Sequence, residues 1–134
     1  MENRYLFRAK RTDNGKWIIG NLIDSPDGRN AISETSAGWL LHEVYPSTIC
    51  QCTGRKDECS NLIFEHDIVG FIDGMSTENG FSEHNQVGEV IWDEETLSFQ
   101  VTERLSADSY EVLDKGCRVI GNIFDNQELL EDVW

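Results

Sequence analysis

Positive charge is scarce in this 134-residue chain, where 11 Lys and Arg face 25 Asp and Glu for a net charge of −14. Such a field repels nucleic-acid phosphates and anionic membrane surfaces, which disfavours generic DNA, RNA or lipid-surface binding. It favours solubility, and it suits a basic partner or a surface that imitates nucleic acid. Long apolar runs are missing too. No stretch approaches the ~20 residues of a membrane span, and Met1-Glu-Asn-Arg-Tyr5 lacks the cationic segment and apolar run of an export signal. A cytoplasmic protein with no membrane partner is expected. The four cysteines, Cys50, Cys52, Cys59 and Cys117, lack the two closely spaced pairs of a structural zinc site. They read as reduced thiols rather than as a disulfide framework. A zinc ion would have to use Cys50, Cys52 and Cys59 with His66 or Cys117, a poor spacing. No nucleophile elbow, phosphate-cradling glycine loop or metalloprotease helix is present to combine with His42, His66 or His84. No enzyme, cofactor or metal is therefore expected.

What is present is enough apolar bulk for one core. Hydrophobic residues make up 39% of the chain, with four Trp, six Phe and three Tyr, and this length suits a single domain over residues 1–134. Tyr5, Phe7 and Ala9 alternate with Leu6, Arg8 and Lys10, and Asp13-Asn-Gly15 supplies residues that tolerate positive φ before Lys16-Trp-Ile-Ile-Gly-Asn-Leu-Ile23, which predicts a β-hairpin. A second hairpin is predicted from Val87–Asp93 and Leu97–Glu103 across Glu94-Glu-Thr96. Trp39-Leu-Leu-His-Glu-Val44 predicts a short strand ended or held at an edge by Pro46. Gly54–Asn61 reads as a polar turn, and Leu62–Asp73 as an apolar element bent at Glu65-His-Asp67. Gly74–Gln86, rich in Gly, Ser, Glu and Asn, reads as a mobile loop, and Ser106–Leu113 as one or two helical turns. Cys117–Phe124 predicts a strand, after which Asp125 can cap a short helix running to about Asp132, with Glu128 reaching back. Seven or eight short strands with little helix predict a mainly β protein, a small antiparallel β-barrel or barrel-like sandwich with a short C-terminal helix. Phe7, Trp17, Ile19, Ile68, Val90, Trp92, Phe99, Val119 and Ile123 are expected to share its core.

Three blocks carry a family resemblance. Tyr5-Leu-Phe-Arg-Ala9 with Lys16-Trp-Ile-Ile-Gly-Asn-Leu22 comes first. Cys50-Gln51 through Thr53, Gly54, Lys56 and Asp57 to Glu65-His-Asp-Ile-Val69 follows, with Gly88-Glu-Val-Ile-Trp92. Val119-Ile-Gly-Asn-Ile-Phe-Asp-Asn126 with Glu128-Leu-Leu130 closes the set. Their order resembles the YopX family of phage and prophage proteins. The resemblance implies a mainly β, barrel-like cytoplasmic protein able to self-associate, and it brings no catalytic residues. Cys52 stands where the family often has Tyr, Arg55 where an apolar residue is common, and Gln127 where Pro often follows Asn. His66 stands where Gly usually precedes the Asp, so the backbone there is expected not to need positive φ.

The motif residues Thr53, Gly54, Asp57, Glu65, Asp67, Gly121 and Asn122 are expected to be structural. Asp67 suits a turn that bonds nearby amides, and Gly121-Asn122 inside an apolar strand suits a bulge or a barrel corner. The function expected is that of a non-enzymatic accessory protein that binds itself or an unidentified host or phage protein. The apolar Trp39-Leu-Leu41 would need cover from such a partner. The competing class is a nucleic-acid role, either through Arg8, Lys10, Arg11 and Lys16 of the first hairpin or by acidic mimicry of DNA.

Overall fold

The computed structural model describes residues 5–24, 27–34, 41–77, 80–103, 109–111 and 117–131, with the backbone alone at 72–77, 81–86, 103, 109–111 and 131. Its strands are β1 (Phe7–Lys10), β2 (Trp17–Asp24), β3 (Asn30–Ser33), β4 (Leu41–Glu43), β5 (Cys50–Lys56), β6 (Leu62–Phe64), β7 (Asp67–Thr77), β8 (Gly80–Asp93), β9 (Ser98–Glu103), β10 (Ser109–Glu111) and β11 (Cys117–Asn122). A 3₁₀ turn covers Pro46–Thr48, and α1 is Glu128–Glu131. The chain divides into two compact units, Met1–Gly54 and Arg55–Trp134.

In the first unit the Asp13-Asn-Gly15 signal forms the expected hairpin. Gly15 takes φ +71°, Asn14 Oδ1 accepts from Lys16 N at 2.9 Å, and β1 pairs with β2 in the register Lys10↔Trp17 to Phe7↔Gly20. The strands follow the order β4-β3-β2-β1-β5, and once β5 has carried the chain past Gly54 the order continues to β6. Beyond β1 the backbone bends toward the end of β4, with an Arg11↔Val44 bridge and bonds from Tyr45 N to Lys10 O and from Thr12 N to Glu43 O. Ala9, Ile18, Ile32 and Val44 are buried together, with Phe7, Leu22 and Ile49 packed against them. Ile18 takes the inward face of β2, so strict alternation puts Ile19 outside, 46% exposed. Leu41 lies on the terminal strand β4 and is half-exposed, as an edge residue should be. Trp39 and Leu40 fall outside the described residues.

The second unit is a five-stranded antiparallel sheet in the order β10-β9-β8-β7-β11. Its core joins Ile63, Val69, Val90, Val101 and Cys117, with Phe71, Phe99 and Val119 against them. The β8–β9 hairpin has the expected pairing, Trp92↔Phe99 and Val90↔Val101, although Trp92 near its turn end is 43% exposed. Among the described residues two clusters of buried side chains stand out, one in each unit, where one core was expected. Phe7, Ile68, Val90, Phe99 and Val119 take inward positions, Trp17 and Ile123 are half-buried, and Ile19 and Trp92 face solvent.

Chain connectivity requires this sheet to curl. Glu111 lies level with Gln100 and Ile91, and Cys117 with Phe71 and Gln86, so the two ends are offset by five residues along the strands and by four strand spacings across them. At about 3.3 Å per residue and about 4.8 Å per spacing, a flat sheet would separate them by roughly 25 Å. Six residue steps reach only about 22 Å. The sheet is therefore curved, yet no closed barrel forms among the described strands. Over Cys117–Val119 the outward edge of β11 is already bonded to Glu58 and Asp57, so no further strand can join there.

Three local expectations are corrected. Gly74–Gln86 is not a loop in its described part: β7 and β8 pair from Ile72↔Asn85 to Thr77↔Gly80, through backbone bonds that need no apolar alternation. Ser109–Glu111 is a strand on the edge of β9 rather than part of a helix, since one or two isolated turns are unstable in water. The C-terminal helix begins at Glu128, three residues after Asp125.

Six basic residues (Arg4, Arg8, Lys10, Arg11, Lys16, Arg29) balance six acidic ones in Met1–Gly54, whereas Arg55–Trp134 holds five basic and nineteen acidic residues. The first unit is therefore neutral, and the second carries the entire net charge of −14.

Candidate functional site

The motif residues of the second unit gather at two corners. At the first, β5 ends at Lys56 and the chain turns through Asp57–Asn61, closed by Asp57 N to Asn61 O at 2.8 Å and Ser60 N to Asp57 O at 3.0 Å. The Asp57 side chain is buried. Its Oδ1 accepts from Cys59 N at 2.9 Å and Asn61 N at 2.8 Å. Its Oδ2 accepts from Val119 N at 2.9 Å and Asn61 Nδ2 at 3.4 Å. Beside it Glu58 N donates to Cys117 O at 3.0 Å, and the Arg118 guanidinium grips Glu58 Oε1 at 3.0 and 2.9 Å. Asp57 and Glu58 thus stand in for a missing neighbour strand along the edge of β11. Burial pushes the Asp57 carboxyl up, but the amides of Val119, Asn61 and Cys59 and the Asn61 side chain together outweigh it and hold the group below the ordinary aspartate value.

At the second corner, Glu65-His66 joins β6 to β7. The buried Asp67 accepts from Phe64 N through Oδ2 at 2.8 Å, which closes the turn as its residue type suggests. His66 adopts φ +71°, contrary to the expectation that a non-glycine residue here would avoid the left-handed region. Its backbone is pinned on both sides, by His66 N to Val90 O at 2.7 Å and Ile123 N to His66 O at 3.1 Å. Its ring lies edge-on to Phe124 with centroids 5.9 Å apart. Nδ1 is 2.8 Å from Glu89 Oε2 and Nε2 is 3.9 Å from Glu65 Oε2. A carboxylate only accepts, so the Nδ1 hydrogen points at Glu89. If these contacts offset the backbone strain, His66→Ala should be about 1–2 kcal/mol less stable than the parent, because it keeps the strain and loses the ring, while His66→Gly should lie close to the parent. Urea midpoints decide this, and an alanine variant as stable as the glycine one would sink the account.

Gly121 and Asn122 form the other wall of this corner. The β11–β7 register shifts between Val119 and Gly121, so Ile120 is the extra residue of a β-bulge, 41% exposed. Asn122 Oδ1 accepts from Phe124 N and Asp125 N, each at 2.9 Å, and Asn122 N donates to Asn126 Oδ1 at 3.2 Å. A Cβ on Gly121 would stand 2.6 Å from that same Asn126 oxygen, which is why the position has none. The remaining two motif residues belong to the first unit: Thr53 is half-buried, and Gly54 is exposed with φ +85°.

Among the described residues no three His, Cys, Asp or Glu side chains converge to hold a metal ion. Cys50 and Cys52 are buried in the first unit, Cys117 is buried in the second and Cys59 is exposed there, and none of the four is joined in a disulfide. No helix among the described residues is long and apolar enough to cross a membrane. Sequence reasoning missed Glu89, Asn61 and Asn126, whose roles depend on pairings that no local spacing encodes.

No curated protein matches the chain. The family model described as YopX protein matches residues 6–131, and it takes in both corners, the bulge and the two hairpins. The chain belongs to the YopX protein family.

Proposed function

We propose that this is a phage-type accessory protein of the cytoplasm that works without catalysis, by binding protein, its own copies included. What supports the reading is how the side chains are employed. The oxygen atoms of Asp57 and the Asn122 carbonyl serve amides of their own unit, whereas large apolar side chains stand in solvent, among them Leu97 at 72% exposure, Tyr5, Ile19, Leu41, Tyr45 and Trp92. A carboxylate saturated by backbone amides has little left for a reacting group, while exposed apolar side chains are the material of recognition.

The nucleic-acid reading loses its strongest support in the first hairpin. Arg11 donates to both oxygens of Asp13, at 3.0 and 2.7 Å, and the heads of Arg8 and Lys10 lie 4.8 and 5.4 Å from the centre of the Trp17 ring. Cations committed to a neighbouring carboxylate or ring, in a unit with no net charge, make a weak phosphate footprint. Light scattering after size exclusion tests the self-binding part. A mass at a multiple of 15.3 kDa is expected at roughly tens of micromolar protein, and a mass of 15.3 kDa under those conditions overturns it.

A further inference from the structure

Among the described residues some strand edges are blunted, while one long stretch of β7 and β8 carries no added strand. The outward groups of β11 are bonded to Asp57 and Glu58, and the end of β1 is bonded to the residues after β4. By contrast, β11 accompanies β7 only as far as Cys117↔Phe71, and β9 accompanies β8 only as far as Glu103↔Gly88. β9 is described only to Glu103, and the next described residue, Ser109, lies opposite Thr102 on the other side of β9. Ile72–Thr77 and Phe81–Gln86 therefore form a two-stranded arm extending past the five-stranded sheet, with no third strand on it among the described residues. Two strands alone are marginal in water, and a strand edge is a row of donors and acceptors ready for an added chain.

We propose that this arm takes a cationic, extended segment of a partner protein as its third strand. The proposal rests on the protein-binding reading above and names the kind of partner. Backbone pairing would supply affinity without demanding particular side chains. Charge selects the occupant: the two strands of the arm include Asp73 and Glu83 and neither Lys nor Arg, and the unit to which they belong carries −14. A second copy would bring either the same negative unit or a neutral one, whereas a basic strand is attracted from a distance and held at the edge.

The test uses the full chain and three synthetic probes: a decapeptide alternating Lys with Val and Thr, its Glu counterpart, and the Lys peptide with proline at alternate positions, which removes the amides needed for pairing. The Lys peptide should bind at least about tenfold more tightly than either control at low salt. It should also slow hydrogen exchange at amides within 72–77 or 81–86. Replacing Asp73 and Glu83 by Lys should abolish the preference. Equal binding of the proline peptide would overturn strand addition in favour of diffuse charge attraction, and so would protection confined to other segments. A chain that self-associates yet ignores all three probes would overturn the arm assignment alone. A monomer that ignores them would overturn the protein-binding reading as well.

Discussion

Replacing Asp57 by alanine is expected to cost about 3 kcal/mol of folding stability, and more if the β11 edge frays. The substitution strands the amides of Cys59, Asn61 and Val119, and each buried donor left without an acceptor costs roughly 1–3 kcal/mol, although local shifts recover part of the sum. Asparagine should rescue little, since its NH₂ group must face either Val119 N or the amides of Cys59 and Asn61, donor against donor. A denaturant midpoint for Asp57→Ala within about 0.5 kcal/mol of the parent would refute the role assigned to this side chain. The pH dependence has a definite sign. Because the folded carboxyl lies below its ordinary value, the charged group favours folding at every pH above the unfolded value, and that advantage is lost as pH falls through the folded one. The gap between the parent and Asp57→Asn should accordingly narrow in acid and stay constant near neutrality.

Gly20→Ala should be comparably damaging for a different reason. A Cβ there would overlap the Ser33 carbonyl oxygen and sit 2.8 Å from the carbonyl carbon and 3.1 Å from Ile32 Cγ2. Ser33 is buried and Ile32 belongs to the core, while the Asn21↔Ser33 and Leu22↔Ile32 pairs fix the spacing of β2 and β3. Neither strand can withdraw without opening the cluster of Ala9, Ile18, Ile32 and Val44. A loss of about 2–4 kcal/mol is expected, at the upper end of overpacking effects. Gly28→Ala is the control. It sits at φ +86° with nothing within 4 Å of a built Cβ, so it should cost only the strain, about 1 kcal/mol. Gly20→Ala proving no worse than Gly28→Ala in thermal melts would show that the overlap relaxes freely.

The features legible in the sequence were those with a local chemical cause. Asp13-Asn-Gly15 announces its hairpin through residues that tolerate positive φ, and the β8–β9 pairing shows in the alternation Val90, Trp92 against Phe99, Val101. The Gly121 bulge was foreseeable because glycine in an apolar strand needs a reason. The arm was not, since Ile72–Gln86 pairs through its backbone and offers no apolar alternation for a reader to follow. The partners of Asp57 were equally hidden, because Val119 contributes an amide that any residue except proline would supply, from 62 positions away. His66 misled because histidine at positive φ is costly. The compensation comes from Glu89 across the sheet and from backbone bonds to Val90 and Ile123, none of which the Glu-His-Asp order reveals. The division into two units was hidden because no linker-like stretch marks it, although the acidic excess that begins after Gly54 is written in the sequence.

The closure of β11 by a side chain rather than by a strand has a consequence for handling the protein in acid. Mutual repulsion between copies vanishes near the isoelectric point of about 4.4, where most acidic proteins begin to clump. Asp57, held below the ordinary aspartate range, is still ionised there and still guards the strand beside it. Asp57 takes up its proton, and that strand comes unguarded, only on the acid side of the isoelectric point, where the molecule is a cation whose copies repel once more. The two protections against edge-to-edge aggregation thus lapse at different acidities. Turbidity should peak near the isoelectric point as loose, readily redissolved precipitate, whereas Asp57→Asn, with its edge unguarded at that same pH, should yield ordered aggregate that does not redissolve.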